Sequence, residues 1–169
     1  MEVGEKIALR YDRADIMRGM AIYASGDTVA ALLLHQFSLS RLIGMIFTGG
    51  TFYAFEIPNY FRWLDRRTQK ASPAAGSVKR TLLALLYFNP LWIARHLFFI
   101  NFFSGNWDQL TWQLLSIASW SFLVNIPVSF AANFLIQNMI ALRWRFLASA
   151  GFSALMAIYY ASSEILFRR

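Results

Sequence analysis

Ionisable residues set inside apolar stretches are where this sequence could do chemistry. Asp27 lies near the middle of an apolar run at 18–34, and Arg95 with His96 falls in the middle of another at 81–103. Glu56 sits about a turn and a half from the basic end of a third run at 42–61. A charge at such a depth is costly unless it finds a partner or water, so Asp27 and Arg95 are expected to approach each other or to face a polar interior. Two roles fit that pair: a buried ion pair that fixes helix packing, or a step in a solute pathway. His96 projects about 100° round the helix from Arg95, as a hydrogen-bonded packing residue or a group that titrates near neutral pH. Glu56 reads as a boundary carboxylate within reach of the interface, Arg62 or Lys79.

Other chemistries find little material. The sequence has no cysteine, which excludes disulfides, thiol catalysis and thiolate metal sites. Two histidines, His35 and His96, are too few for a metal cluster of their own. There is no phosphate-cradling glycine loop, no Ser-His-Asp set and no metal-spaced carboxylate helix. The chain is therefore read as neither an enzyme nor a holder of a metal or catalytic cofactor. Asn89, Asn101, Asn125, Asn133 and Asn138 can bond across helices for about a kcal/mol each or less, which explains them without a substrate.

The elements that position these residues follow from hydropathy. Hydrophobic residues make up 57% of the 169 and the mean hydropathy is +0.42, against about 45–50% apolar in ordinary globular domains. The reading is an all-α, integral membrane helical bundle with four to five transmembrane helices, in one domain over 18–169 behind a polar, amphipathic arm at 1–17 with Val3, Ile7 and Tyr11 on one face. The run 42–61 is a membrane helix in which Gly44, Gly49 and Gly50 remove bulk so that a neighbour can approach, as Gly26 does in the first crossing. A basic loop at 62–80 is expected to present Arg62, Arg66, Arg67, Lys70, Lys79 and Arg80 to anionic headgroups such as cardiolipin. The third crossing, 81–103, carries Pro90. Residues 109–142 would span about 51 Å as one helix, too long for an upright crossing, so Pro127 is expected to kink it or split it in two. A last crossing at 146–167 offers Ala150, Ala154, Ala157 and Ala161 as a small face for close packing.

Charge sets the orientation. The net charge of +7 flanks apolar spans instead of forming a patch on a soluble surface, which argues for membrane topology and against nucleic acid. Alternate sides carry twelve Lys or Arg against three, placing the N-terminal arm, the 62–80 segment and Arg143 with Arg145 on one face, read as the matrix-like face.

Several blocks resemble the Mpv-seventeen and twenty-two-kilodalton peroxisomal membrane protein family. The second crossing shows Arg41, Gly49, Phe52 and Leu64-Asp65-Arg66; the first has Gly26-Asp27; the third has Lys79-Arg80, Phe88 and Pro90; and Pro127 with Asn133-Phe134 repeats the fourth-helix spacing. Together they cover about residues 18–145. Ala31, Ala54-Phe55 and Ala84-Leu85 replace polar or Gly-Pro positions of that pattern, and the Trp-Asn near the end is missing around 158–160. The resemblance implies a small organelle membrane protein, some relatives being discussed as channels. The lost polar positions imply a more apolar interior here, and so an accessory structural subunit of a larger mitochondrial inner-membrane assembly, a respiratory complex or ATP synthase, with other membrane subunits as partners. The alternatives are a small-solute channel centred on Asp27 and Arg95, a lipid-organising protein, and a peroxisomal instead of a mitochondrial membrane.

Overall fold

Among the described residues the chain forms seven α-helices, α1 (Arg13–Leu33), α2 (Leu39–Thr48), α3 (Ala54–Thr68), α4 (Pro73–Tyr87), α5 (Pro90–Ser104), α6 (Gln113–Met139) and α7 (Leu142–Phe167). This computed structural model describes residues 9–69 and 73–167, those at 73, 157 and 160–167 without their side chains. All regular structure among the described residues is helical. Two stretches, Ala74–Ser104 and Gln113–Met139, are long and apolar enough to cross a membrane by length and composition.

Local sequence explains the breaks. Gly49–Tyr53 forms a π turn that joins α2 to α3 without interruption, so 39–68 is one rod. Pro90 disfavours helix for the residue before it, and Asn89 is extended with its side chain accepting from the Leu91 and Trp92 amides. The third crossing is therefore two helices. α4 opens at Pro73, a first-turn position that needs no N–H. Gly105, at φ 77°, closes α5 in the left-handed region.

Two sequence expectations change. The basic loop at 62–80 is mostly helix, because α3 continues through Thr68 and α4 begins at Pro73. The arm at 1–17 ends inside α1, with residues 9–12 outside any helix; Val3 and Ile7 lie outside the described residues. At Pro127, where either one helix or two pieces was expected, α6 is one helix of 27 residues with Pro127 inside it. The proline ring points outward on an exposed position, where neighbours do not resist it.

Packing depends on missing side chains. α1 meets the π turn at Gly19 and Gly49, whose backbones touch, so a Cβ on either would strike the other's carbonyl. Gly26 faces Ala154 of α7 in the same way, and Gly50 lies under Met20. Around these contacts sits an aromatic centre in which Tyr53 packs on Tyr23 at 4.4 Å and on Trp92 at 5.3 Å between ring centroids.

α6 is turned inside out relative to a soluble helix. Its buried face carries Ser121, Asn125, Ser129, Asn133 and Gln137, four residues apart, while Leu123, Val124, Val128, Phe130, Phe134 and Leu135 are exposed. Trp107, Trp112 and Trp120 are exposed along the turn from α5 into α6 and the first turns of α6.

Gly26→Val should lower the midpoint of thermal unfolding of the detergent-purified protein by an amount equivalent to about 1–3 kcal/mol or more, since α1 and α7 must separate. Gly151→Val, at a glycine with open space around it, should leave the midpoint unchanged. Equal behaviour of the two variants would rule out the α1–α7 contact.

Candidate functional site: two ion pairs and a recess

Asp27 is held by α1 and Arg41 by the first turn of α2. The five residues between these helices turn the chain back, and the long Arg41 side chain reaches along the seam to the carboxylate. Its Nε and one terminal nitrogen each donate to a different Asp27 oxygen at 2.7 Å, with both side chains 2% exposed. A bidentate pair satisfies the charge and the geometry at once. Asp27 thus meets Arg41, so of the two outcomes that the depth argument allowed, its approach to Arg95 is not found.

Arg95 pairs instead with Glu56. Its two terminal nitrogens donate to the two carboxylate oxygens at 2.8 and 2.6 Å, and the Tyr87 hydroxyl donates to Glu56 Oε2 at 3.1 Å. Glu56 accordingly bonds neither Arg62 nor Lys79. Unlike the first pair, this one is about one-third exposed, at 31% for Glu56 and 34% for Arg95. It lines a recess of about 460 Å³ beside the break between α4 and α5, with Tyr60, Tyr87, Asn89 and Trp92 in the wall. Tyr60 stacks on Tyr87 at 4.3 Å and donates to the Leu83 carbonyl. Leu86 and Leu91 form the exposed rim. Glu56 stands about 18 Å along α3 from its basic end, and about 26 Å from the start of α2.

His96 belongs to neither pair. It is buried, shares a hydrogen bond with the Tyr53 hydroxyl through Nδ1 at 2.9 Å, and stacks on Trp92 with the planes 9° apart.

The basic end is more crosslinked than a headgroup-facing loop would be. Asp65 of α3 accepts from Arg145 of α7 at 2.8 Å and lies 4.0 Å from Arg80 of α4; Arg80 also donates to Thr68 and to the Gln137 carbonyl. Arg62 donates to Asn59. Of the six residues read as lipid contacts, Arg66, Arg67 and Lys79 are exposed, Arg62 and Arg80 are engaged by the protein, and Lys70 lies outside the described residues. On α7, Ala150 is fully buried and Ala154 faces Gly26, whereas the Ala157 side chain lies outside the described residues.

The polar stripe of α6 is the feature the sequence reading missed. Asn125 donates to Ser129 Oγ, Asn133 to the Ser129 carbonyl, and Tyr159 of α7 to the Ser121 carbonyl. The buried face of α6 therefore carries a row of polar side chains between the apolar Leu114, Ile117 and Ala118 at one end and Ile136 near the other. The four-residue recurrence of Ser, Asn and Gln inside an otherwise apolar run was the available signal. Among the described residues no three His, Asp or Glu side chains gather as metal ligands. Comparison with known proteins adds no relative: no family model, no curated protein and no solved structure matches this chain.

Asp27→Asn leaves Arg41 charged and buried, and should destabilise the purified protein by about 3–5 kcal/mol, read as a loss of folded protein in a thermal or denaturant melt. The double variant Asp27→Leu/Arg41→Met removes both charges and should recover most of that loss. Failure of the double variant to recover would show that the two residues do not act as a pair.

Proposed function

We propose that this chain is an integral membrane protein of five crossings, formed by α1, the α2–α3 rod, the α4–α5 pair, α6 and α7, and a divergent member of the Mpv-seventeen family. Its role is that of an accessory structural subunit in a larger membrane complex, with the mitochondrial inner membrane as the proposed site. The meeting of Asp27 with Arg41 supports the family reading, since both positions belong to the blocks on which the resemblance rests. Outward-facing leucines, valines and phenylalanines around polar interior faces support lipid as the solvent.

The observation that carries the subunit role is the half-open Glu56–Arg95 pair. Hydrocarbon solvates neither an exposed ion pair nor an interrupted helix, and such features are tolerated at membrane depth where protein or water covers them. The recess opens sideways, beside the rim leucines, so a neighbouring transmembrane helix carrying a hydrogen-bonding side chain is the cover that fits it. The other pair is sealed within the chain and offers no free charge to a moving solute.

A channel is the second reading, and the polar stripe of α6 favours it. The stripe runs from Ser121 to Gln137, about 24 Å of helix, and both side-chain polar atoms of Gln137 lack a hydrogen-bond partner. Planar-bilayer conductance that disappears on Asn133→Leu would support the channel over the subunit.

A photo-crosslinking residue placed at Leu91 should couple to one membrane protein that also migrates with this chain in stoichiometric amount on native gels, whereas the same residue at Leu155 should not. Glu56→Gln should cut that co-migration severalfold while leaving the melting midpoint of the isolated chain within a few degrees. A chain that always migrates alone, with Leu91 reaching lipid only, would sink the subunit role.

A further inference from the structure

A second recess, of about 440 Å³, opens at the basic end between the starts of α1 and α7 and the outer half of α3. Its charged wall brings together Arg10, Arg18, Arg62 and Arg143 from four different stretches of chain, and its floor is apolar, made by Pro58, Phe61 and Phe146. Phe61 and Phe146 are 1% and 3% exposed, so the floor is part of the core and is fixed in place.

Two of the four are engaged within the protein, Arg18 by Asp15 at 3.4 Å and Arg62 by the Asn59 side chain at 2.9 Å, while Arg10 and Arg143 have exposed side chains and no carboxylate partner among the described residues. Arg18 and Arg143 both lie over the Trp144 ring, at 5.8 and 5.9 Å from its centroid. One indole thus gathers two guanidiniums that would otherwise repel. Two aspartates oppose an anion here, Asp12 and Asp15. Four arginines outnumber them. The N-termini of α1 and α7 add the positive ends of two helix dipoles at the same mouth.

Basic walls over an apolar floor select a ligand that is anionic at one end and apolar at the other. An inorganic anion would leave Phe61 and Phe146 unused, and a neutral lipid would leave the guanidiniums unpaired. We propose that this recess binds the phosphate headgroup of an anionic phospholipid, with the phosphate among Arg10, Arg18, Arg62 and Arg143 and the glycerol end over Pro58, Phe61 and Phe146. The site is separate from the exposed arginines of the α3–α4 corner and rests on the membrane part of the functional reading, in which this end meets the headgroup layer. It does not depend on the chain having a protein partner.

The test uses the full chain purified in a neutral detergent and titrated with phosphatidylglycerol, with phosphatidylcholine of the same acyl chains, and with inorganic phosphate, reading the thermal midpoint and the lipid retained in native mass spectra. Phosphatidylglycerol should raise the midpoint and remain bound at one per chain, and the other two should do neither. Arg10→Gln/Arg143→Gln should weaken that binding about thirtyfold, at about fivefold for each arginine near a membrane surface. Both side chains are exposed and outside the ion pairs, so the fold should survive; the single variants give the same reading in two smaller steps if it does not. Arg66→Gln/Arg67→Gln, on the same face but outside the recess, should bind as the parent does. Equal stabilisation by phosphatidylcholine, a response to phosphate alone, or equal losses in the two double variants would each overturn the site. A chain recovered in the soluble fraction without detergent would instead refute the membrane reading on which it rests.

Discussion

Two bonds from one guanidinium to one carboxylate decide how the first half of this molecule is assembled. Arg41 can reach both oxygens of Asp27 only if α2 folds back along α1 directly after the turn, at one register and one rotation. That rotation points Gly19 of α1 at Gly49 of the following π turn, and the backbones come into contact. The close approach in turn leaves Tyr53 facing inward, where it takes the His96 bond and stacks against Trp92. A buried charge pair is a weak source of net stability but a strong source of register, because every slipped arrangement leaves an unpaired charge inside.

The two ion pairs illustrate how differently the same chemistry behaves at two levels of burial. Asp27 and Arg41 are sealed, so they affect the rest of the molecule only through geometry. Glu56 and Arg95 are also joined by two bonds, through the two terminal nitrogens, yet a third of each side chain remains open beside a helix that is already interrupted. Glu56, Arg95, Asn89 and Leu91 line one recess, so the pair stands open at the place where the helix is interrupted.

Much of the fold is legible in the residues because length and hydropathy alone delimit the helices. The runs at 18–34, 42–61 and 109–142 each became a helix or a rod near the expected place, and Gly26, Gly49 and Gly50 proved to be contact points as their small size suggested. Charge partners were not legible. Periodicity assigns a residue to a face of its own helix, but it does not say which neighbour lies opposite or how a proline break shifts depth. Arg41 read as a flanking residue because it stands at the start of an apolar run, and only its long side chain places its charge well inside. The segment at 62–80 read as a loop because its polar residues and Pro73 look like linker, while in three dimensions Asp65, Arg80 and Arg145 bind α3, α4 and α7 to one another.

The stripe on α6 bears on how a helix this apolar finds its place. Exposed leucines and phenylalanines give little preference among rotations when the surroundings are equally apolar, so hydrophobicity cannot orient α6. Hydrogen bonds can. Asn125 spans to Ser129 and to the Met156 sulfur of α7, Tyr159 of α7 reaches the Ser121 carbonyl, and Arg80 of α4 reaches the Gln137 carbonyl, which ties α6 to neighbours at both ends. Each bond is modest by itself, about a kcal/mol or less in such surroundings. Spread over four turns of helix, they fix one rotation of α6 against α4 and α7, and the apolar side chains then take the outward positions that remain.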